Sequence, residues 1–197
     1  MSAADRPEWV VREDAGLPVL AALYLRQVLG IRLPAALPHV RGVEAGPPCD
    51  DPGLEAQWNR FWDLTVEPQA HPSPVPLDLV DGFGTLAVLP VEGFQELRRA
   101  FAPHGPAALA FAQGAHDRYR ATLGSGPSYR AYASAIAQHE RQTGRPAHSF
   151  TLNVHVLPLA QRGVWWIGTQ TVAVTDRLRS DVVEFDAAIA PVIAELA

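Results

Sequence analysis

Residues 148–176 read HSFTLNVHVLPLAQRGVWWIGTQTVAVTD. Phe150, Leu152, Val154 and Val156 alternate with Thr151, Asn153 and His155, the period-two pattern of a strand with one buried face. AQRG (160–163) has the composition of a turn, and VWWIGTQTVAVTD (164–176) is rich in β-branched residues, so the pair predicts an antiparallel hairpin. Successive side chains of a strand point to opposite faces, so Trp165 and Trp166 cannot share one. A turn centred on Gln161 and Arg162 sets His155 across from Gly168 and Asn153 across from Gln170. In that register Trp165 joins the apolar stripe, and Asn153, His155, Trp166 and Gln170 form a polar face with an opening at Gly168. A glycine opposite a histidine leaves room for a ligand or another backbone, and a tryptophan among hydrogen-bonding side chains is the mixture found at recognition surfaces. The competing expectation is a sheet covered on that face by a helix, its polar groups satisfying one another. A one-residue slip in register exchanges the two faces.

Working outward, SDVVEFDAAIAPVIAELA (180–197) is a closing helix with Val182, Phe185, Ile189, Val192 and Leu196 as its stripe and Asp181 as its cap. Upstream, 106–124 and 127–144 each start near Pro and end in Gly, and their short link predicts two antiparallel helices packed as a hairpin. LPVLAALYLRQV, after Asp14, is apolar around nearly its whole circumference, which predicts a central buried helix ending at Gly30. LEAQWNRFWDLTV (54–66) carries Leu54, Trp58, Phe61 and Trp62 on one face, a core stripe. The Pro-rich stretch 67–78 is irregular; GTLAVLP (84–90) is a short strand, and residues 91–101 form a short helix.

Composition narrows the chemistry. In 197 residues, hydrophobic side chains make up 48% and charged ones 19%, which excludes a disordered chain. All 16 basic residues are arginine. The Ala-, Pro- and Gly-rich, lysine-free composition is that of a high-GC bacterial genome, and it excludes a Walker-type P-loop, a pyridoxal phosphate Schiff base and a Ser-Lys dyad. The single cysteine, Cys49, excludes an internal disulfide and any Cys-rich metal site, and reads as a spare loop thiol. A net charge of −5 gives no footprint for nucleic acid. No apolar run reaches the ~20 residues needed to cross a bilayer, and the amino-terminal segment lacks a signal peptide's basic region, so a cytoplasmic location is expected.

Histidine is then the plentiful acid–base group. His116 and His139 lie on predicted helix faces, each followed by an acid, Asp117 or Glu140. Folding the two helices about Ser125 displaces the imidazoles by about one turn, ~5 Å, which disfavours a shared ion. HERQT (139–143) is not the His-Glu-x-x-His pattern, because Thr143 stands at the second histidine's place. GSGPS, with Ser125 and Ser128, follows a helix and is not a nucleophile elbow; GFGTL (82–86) is too short for a dinucleotide loop.

These readings predict one α+β domain over 1–197. N-terminal helices pack on a small antiparallel sheet built around the C-terminal hairpin, and a C-terminal helix closes it. Function is expected to be non-enzymatic binding or protein–protein interaction through Asn153, His155, Trp166 and Gln170, without cofactor or metal. The partner is an unidentified protein or small molecule, a second copy of the chain among the candidates. The alternative is a small hydrolase or metal-dependent enzyme using His116, His139 or His155 with a nearby acid.

Overall fold

The first strand after residue 157 does not pair with the strand before it, and the architecture follows from that. The computed structural model describes residues 8–123 and 129–197. In chain order the elements are β1 (Trp9–Asp14), α1 (Leu17–Val28), α2 (Pro52–Val66), β2 (Leu77–Leu79), β3 (Val88–Pro90), α3 (Gln95–Phe101) and, after one 3-10 turn, α4 (Gly105–Thr122). There follow α5 (Arg130–Thr143), β4 (Phe150–Leu157), β5 (Val164–Trp166), β6 (Thr171–Thr175), α6 (Asp176–Arg179) and α7 (Val182–Leu196). The class is α+β, with a mixed four-stranded sheet of order β1-β4-β6-β5, a small antiparallel β2-β3 pair and a C-terminal helix.

The hairpin differs from the predicted one. Beyond β4, the Arg41 N–H donates to Pro158 O and the Ala160 N–H to His39 O, both at 2.8 Å, and Leu159 bridges to Val40. AQRG is therefore held by the 39–41 loop and serves as a crossover. The tight turn lies instead at 167–170, where the Ile167 and Gly168 N–H groups both donate to Thr171 O. So β5 and β6 form the antiparallel hairpin, while β4 runs parallel to β6. β1, which no periodic signal marks, runs parallel to β4. Every residue of β6 is buried, as expected of a parallel strand covered on both faces.

The register follows from these pairings. Trp166 lies beside Val172, which pairs with Val154, whereas Trp165 lies beside Ala173, which pairs with His155. The tryptophans do take opposite faces, but Trp166 shares the apolar stripe's face and Trp165 the face of Asn153 and His155. This is the one-residue exchange to which strands are prone.

A separate apolar layer covers each face. Phe150, Leu152, Val154, Val172 and Val174 pack with Tyr132 of α5 and Phe185 and Ile189 of α7. On the other face Ala173, Leu157 and Ile167 meet α1, α2, α3 and α4. α1 is central, with Leu20 and Leu25 fully buried. α2 is capped by Asp51, whose carboxylate accepts the Gly53 and Leu54 N–H groups, and it buries Trp58, Phe61 and Trp62. Asp181 caps α7 by accepting the Glu184 N–H.

The predicted helical hairpin is not a packing unit. α4 packs along α1, and α5 along α7, on the far side of the sheet. Small residues on α4 (Ala108, Ala112, Ala115) allow close approach to α1, while Tyr132 and Ile136 give α5 a stripe suited to the other layer. The link with Ser125 and Ser128 lies outside the described residues.

Candidate functional site

Three parallel strands end together at Asp14, Leu157 and Thr175. The carboxyl ends of parallel strands are where open sheets place their ligand crevices. Asp14 and His155 stand in register on β1 and β4, facing the α1 layer. The Asp14 Oδ1 lies 2.6 Å from His155 Nδ1 and accepts the Gly16 N–H at 2.7 Å. Gly16 has φ +48, and a Cβ there would stand 2.7 Å from the ring's Cγ, so the absent side chain makes room for the imidazole. His155 is 15% exposed and Asp14 65%: the ring is set into the surface and its carboxylate lies on the rim.

Burial would raise the Asp14 carboxyl, but the hydrogen bond and charge of His155, helped by the Gly16 N–H, outweigh it and hold the pKa below the ordinary value. An ionised carboxylate only accepts, so Nδ1 carries the imidazole proton and neutral His155 keeps its lone pair on Nε2. Because the Asp14 pKa is lowered on folding, its stabilisation is complete above the ordinary carboxyl range and lost as pH falls through the lowered value. Exposure screens the effect. Asp14→Asn is therefore expected to lower stability modestly above the ordinary carboxyl range, to leave it unchanged in strong acid, and so to flatten the acid limb of the stability–pH curve. Unfolding midpoints measured from acid to neutral pH check this, and an unchanged acid limb contradicts it.

An open groove of about 470 Å³ adjoins the pair, lined also by the first turn of α1, by Thr65, Thr85 and Leu86, and by His116 of α4. His116 Nδ1 is shut off from solvent and has no hydrogen-bond partner among the described residues. The fold thus brings His116 and His155 to one groove. His139 is on α5, in the other layer, beside Glu140, whose carboxylate accepts the Ala147 N–H. No group of three or more His, Cys, Asp and Glu side chains is placed to hold a metal among the described residues.

On the opposite side of β1, Glu13 accepts the Tyr132 hydroxyl at 2.5 Å and Arg179 Nε at 2.7 Å. Arg179 also lies over the Phe185 ring. Burial first, then the charge of Glu13, raises the Tyr132 pKa; burial and the charges of Glu13 and Asp14 push Tyr119 up to about 12. Both phenols are therefore protonated near neutrality.

The sequence-predicted face is largely claimed by the chain itself. Trp166 is half-buried, packs against the α5–α7 layer, and donates its Nε1–H to Glu195 of α7 at 3.0 Å. The opening at Gly168 is filled by Glu67, whose Oε1 accepts the Thr169 hydroxyl and the Gln170 N–H. A Cβ at Gly168 would lie 2.6 Å from the Glu67 carboxyl carbon. Asn153 sits mid-strand between Arg12 and Thr171, its N–H donating to Gln170 O. Gln170 is exposed in the turn. Of the four expected residues, only His155 lines the groove. Sequence reading missed Asp14 and Glu13; the one available signal was Asp14 just before a helix, which suggested a helix start.

Comparison with protein-family models, curated proteins and solved structures finds no match. No helix among the described residues is long and apolar enough to cross a membrane.

Proposed function

We propose that the chain acts on a small molecule bound in the groove at the carboxyl ends of the parallel strands, with His155 as its acid–base group. The observation that carries this reading is the 2.6 Å contact between Asp14 Oδ1 and His155 Nδ1. A carboxylate on Nδ1 fixes the tautomer, leaves Nε2 free to take a proton, and stabilises the imidazolium that results. A base so held contributes ~10²–10⁴-fold to a proton-transfer step. The groove volume is within the usual range for small ligands. The reaction class is proton abstraction from the bound molecule, or from a water beside it. That agrees with the histidine-plus-acid alternative drawn from sequence, with Asp14 as the acid.

The interaction-module reading, with Asn153, His155, Trp166 and Gln170 as its surface, draws less support because Trp166 and Gly168 already have partners within the chain.

Histidine ¹⁵N spectroscopy on the free protein tests the base directly. His155 is expected as the Nδ1–H tautomer when neutral, and Asp14→Ala should release that preference. A thermal-shift panel of small carboxylates, phosphates, sugars and alcohols tests the groove, since a true ligand stabilises the wild type and loses its effect in His155→Gln. A His155 lone pair on Nδ1, or equal stabilisation of His155→Gln, sinks the reading.

A further inference from the structure

The groove beside His155 is walled mainly by hydrocarbon, and we propose that the molecule it holds is uncharged and largely apolar, an alcohol or a phenol whose single hydroxyl donates to Nε2. This rests on the base reading of His155 and adds the chemical class of what is bound.

The lining disfavours ions of either sign. Ala15, Leu17, Pro18, Val19 and Leu86 form much of the wall, and no arginine lines it among the described residues of a chain that carries 16. Asp14, the acid on the rim, is held ionised and repels an incoming anion. The positive end of α1 offers an anion little, because Asp14 Oδ1 already accepts the Gly16 N–H and places its own negative charge there. A cation fares no better. Asp14 is the only acid lining the groove among the described residues, and its Oδ1 is shared between His155 and Gly16. A cation paired with it would sit at a carboxylate that is 65% exposed, where solvent screening leaves an ion pair worth little, and the apolar wall would stay uncovered.

Hydrogen-bonding capacity sets how polar the ligand is. The Thr65 hydroxyl donates to Phe61 O at 2.7 Å, and His116 Nδ1 is shut off from solvent. The side-chain positions left are His155 Nε2, the exposed Thr85 hydroxyl and the second nitrogen of His116. A sugar or other polyol would bury more hydroxyls than these can satisfy, at a cost for each one left unpaired. With Nδ1 protonated toward Asp14, Nε2 is an acceptor, so the matching group is a donor. One hydroxyl on a hydrocarbon body answers both demands. The body covers the apolar wall, and the hydroxyl proton points at the nitrogen that takes it. The groove, about 470 Å³, has room for a benzene ring with short substituents.

The test is a ¹⁵N titration of the full chain with five probes: p-cresol, hexanol, p-methylanisole, p-toluate and p-methylbenzylamine. The His155 ring and the amides of Leu17 and Leu86 are expected to shift saturably with p-cresol or hexanol. The anisole keeps the hydrocarbon body but has no hydroxyl proton, and should bind about tenfold more weakly than p-cresol, as for one lost hydrogen bond. The carboxylate and the ammonium should bind more weakly than p-cresol too. His155→Phe should abolish the difference between cresol and anisole, with its amide spectrum reporting that the fold persists; the comparison among probes on the wild type stands without that variant. Saturation by p-cresol alone assigns a phenol, by hexanol alone an alcohol, and either supports the site. No saturable response to either, an anisole that binds as tightly as the cresol, or tighter binding of either ion overturns it. Under that result an intact Nδ1–H tautomer at His155 leaves the base reading standing, whereas its loss removes both.

Discussion

Glu13→Ala is expected to lower unfolding stability by about 3–5 kcal/mol, the usual cost of removing one partner from a buried ion pair. Glu13 and Arg179 are 10% and 14% exposed, so the arginine left behind keeps its charge with little access to water. Tyr132, 1% exposed, loses the acceptor of its hydroxyl in the same step. Urea denaturation reads the loss. Tyr132→Phe should cost less, ~1.5–3 kcal/mol, because it deletes one hydrogen bond to a charged acceptor and strands no charge. The double variant Glu13→Leu/Arg179→Met should recover part of the stability, since an apolar pair replaces the ionic one, while the Tyr132 hydroxyl still lacks its acceptor. A Glu13→Ala loss under ~1 kcal/mol would mean that water reaches Arg179 freely, as for a surface pair.

Trp58→Ala is expected to cost a similar ~3–5 kcal/mol, through lost apolar burial and the cavity that remains. Trp58 is 0% exposed and stacks on Trp62 with ring centroids 5.4 Å apart. Its Nε1 has no hydrogen-bond partner among the described residues, so Trp58→Phe forfeits volume but no polar contact, and should fall well short of the alanine loss. Equal losses for the two variants would point to a hidden role for the indole nitrogen.

What could be read from sequence divides along sequence separation. The all-round apolar character of α1, the aromatic stripe of α2 and the alternation of β4 depend on neighbours within a few residues, and each stands in the structure. The failures concern partners. Nothing near AQRG signals that Pro158 and Ala160 are held by residues 39–41. Nothing on α5 signals that it packs on α7 and not on the helix preceding it. The Asp14–His155 pair joins residues 141 positions apart, and a three-residue charged end, Arg12-Glu13-Asp14, hides β1 from any apolar pattern. Trp165 and Trp166 were separable by pleat geometry alone, but their assignment to faces needed the true strand partner.

The pairing of β1 with β4 also has a consequence during synthesis. β1 leaves the ribosome early, and its hydrogen-bonding partner follows 141 residues later. At ~5–20 residues per second that interval is roughly 7–28 s. Over that time Val10 and Val11 sit on a strand with no sheet to join, whereas α1 to α4, complete by Thr122, can already begin to consolidate their layer. The nascent chain is therefore exposed to chaperones and to pairing with other chains at one early strand. Its groove, which needs Asp14 and His155 together, is completed only when the last third of the chain arrives.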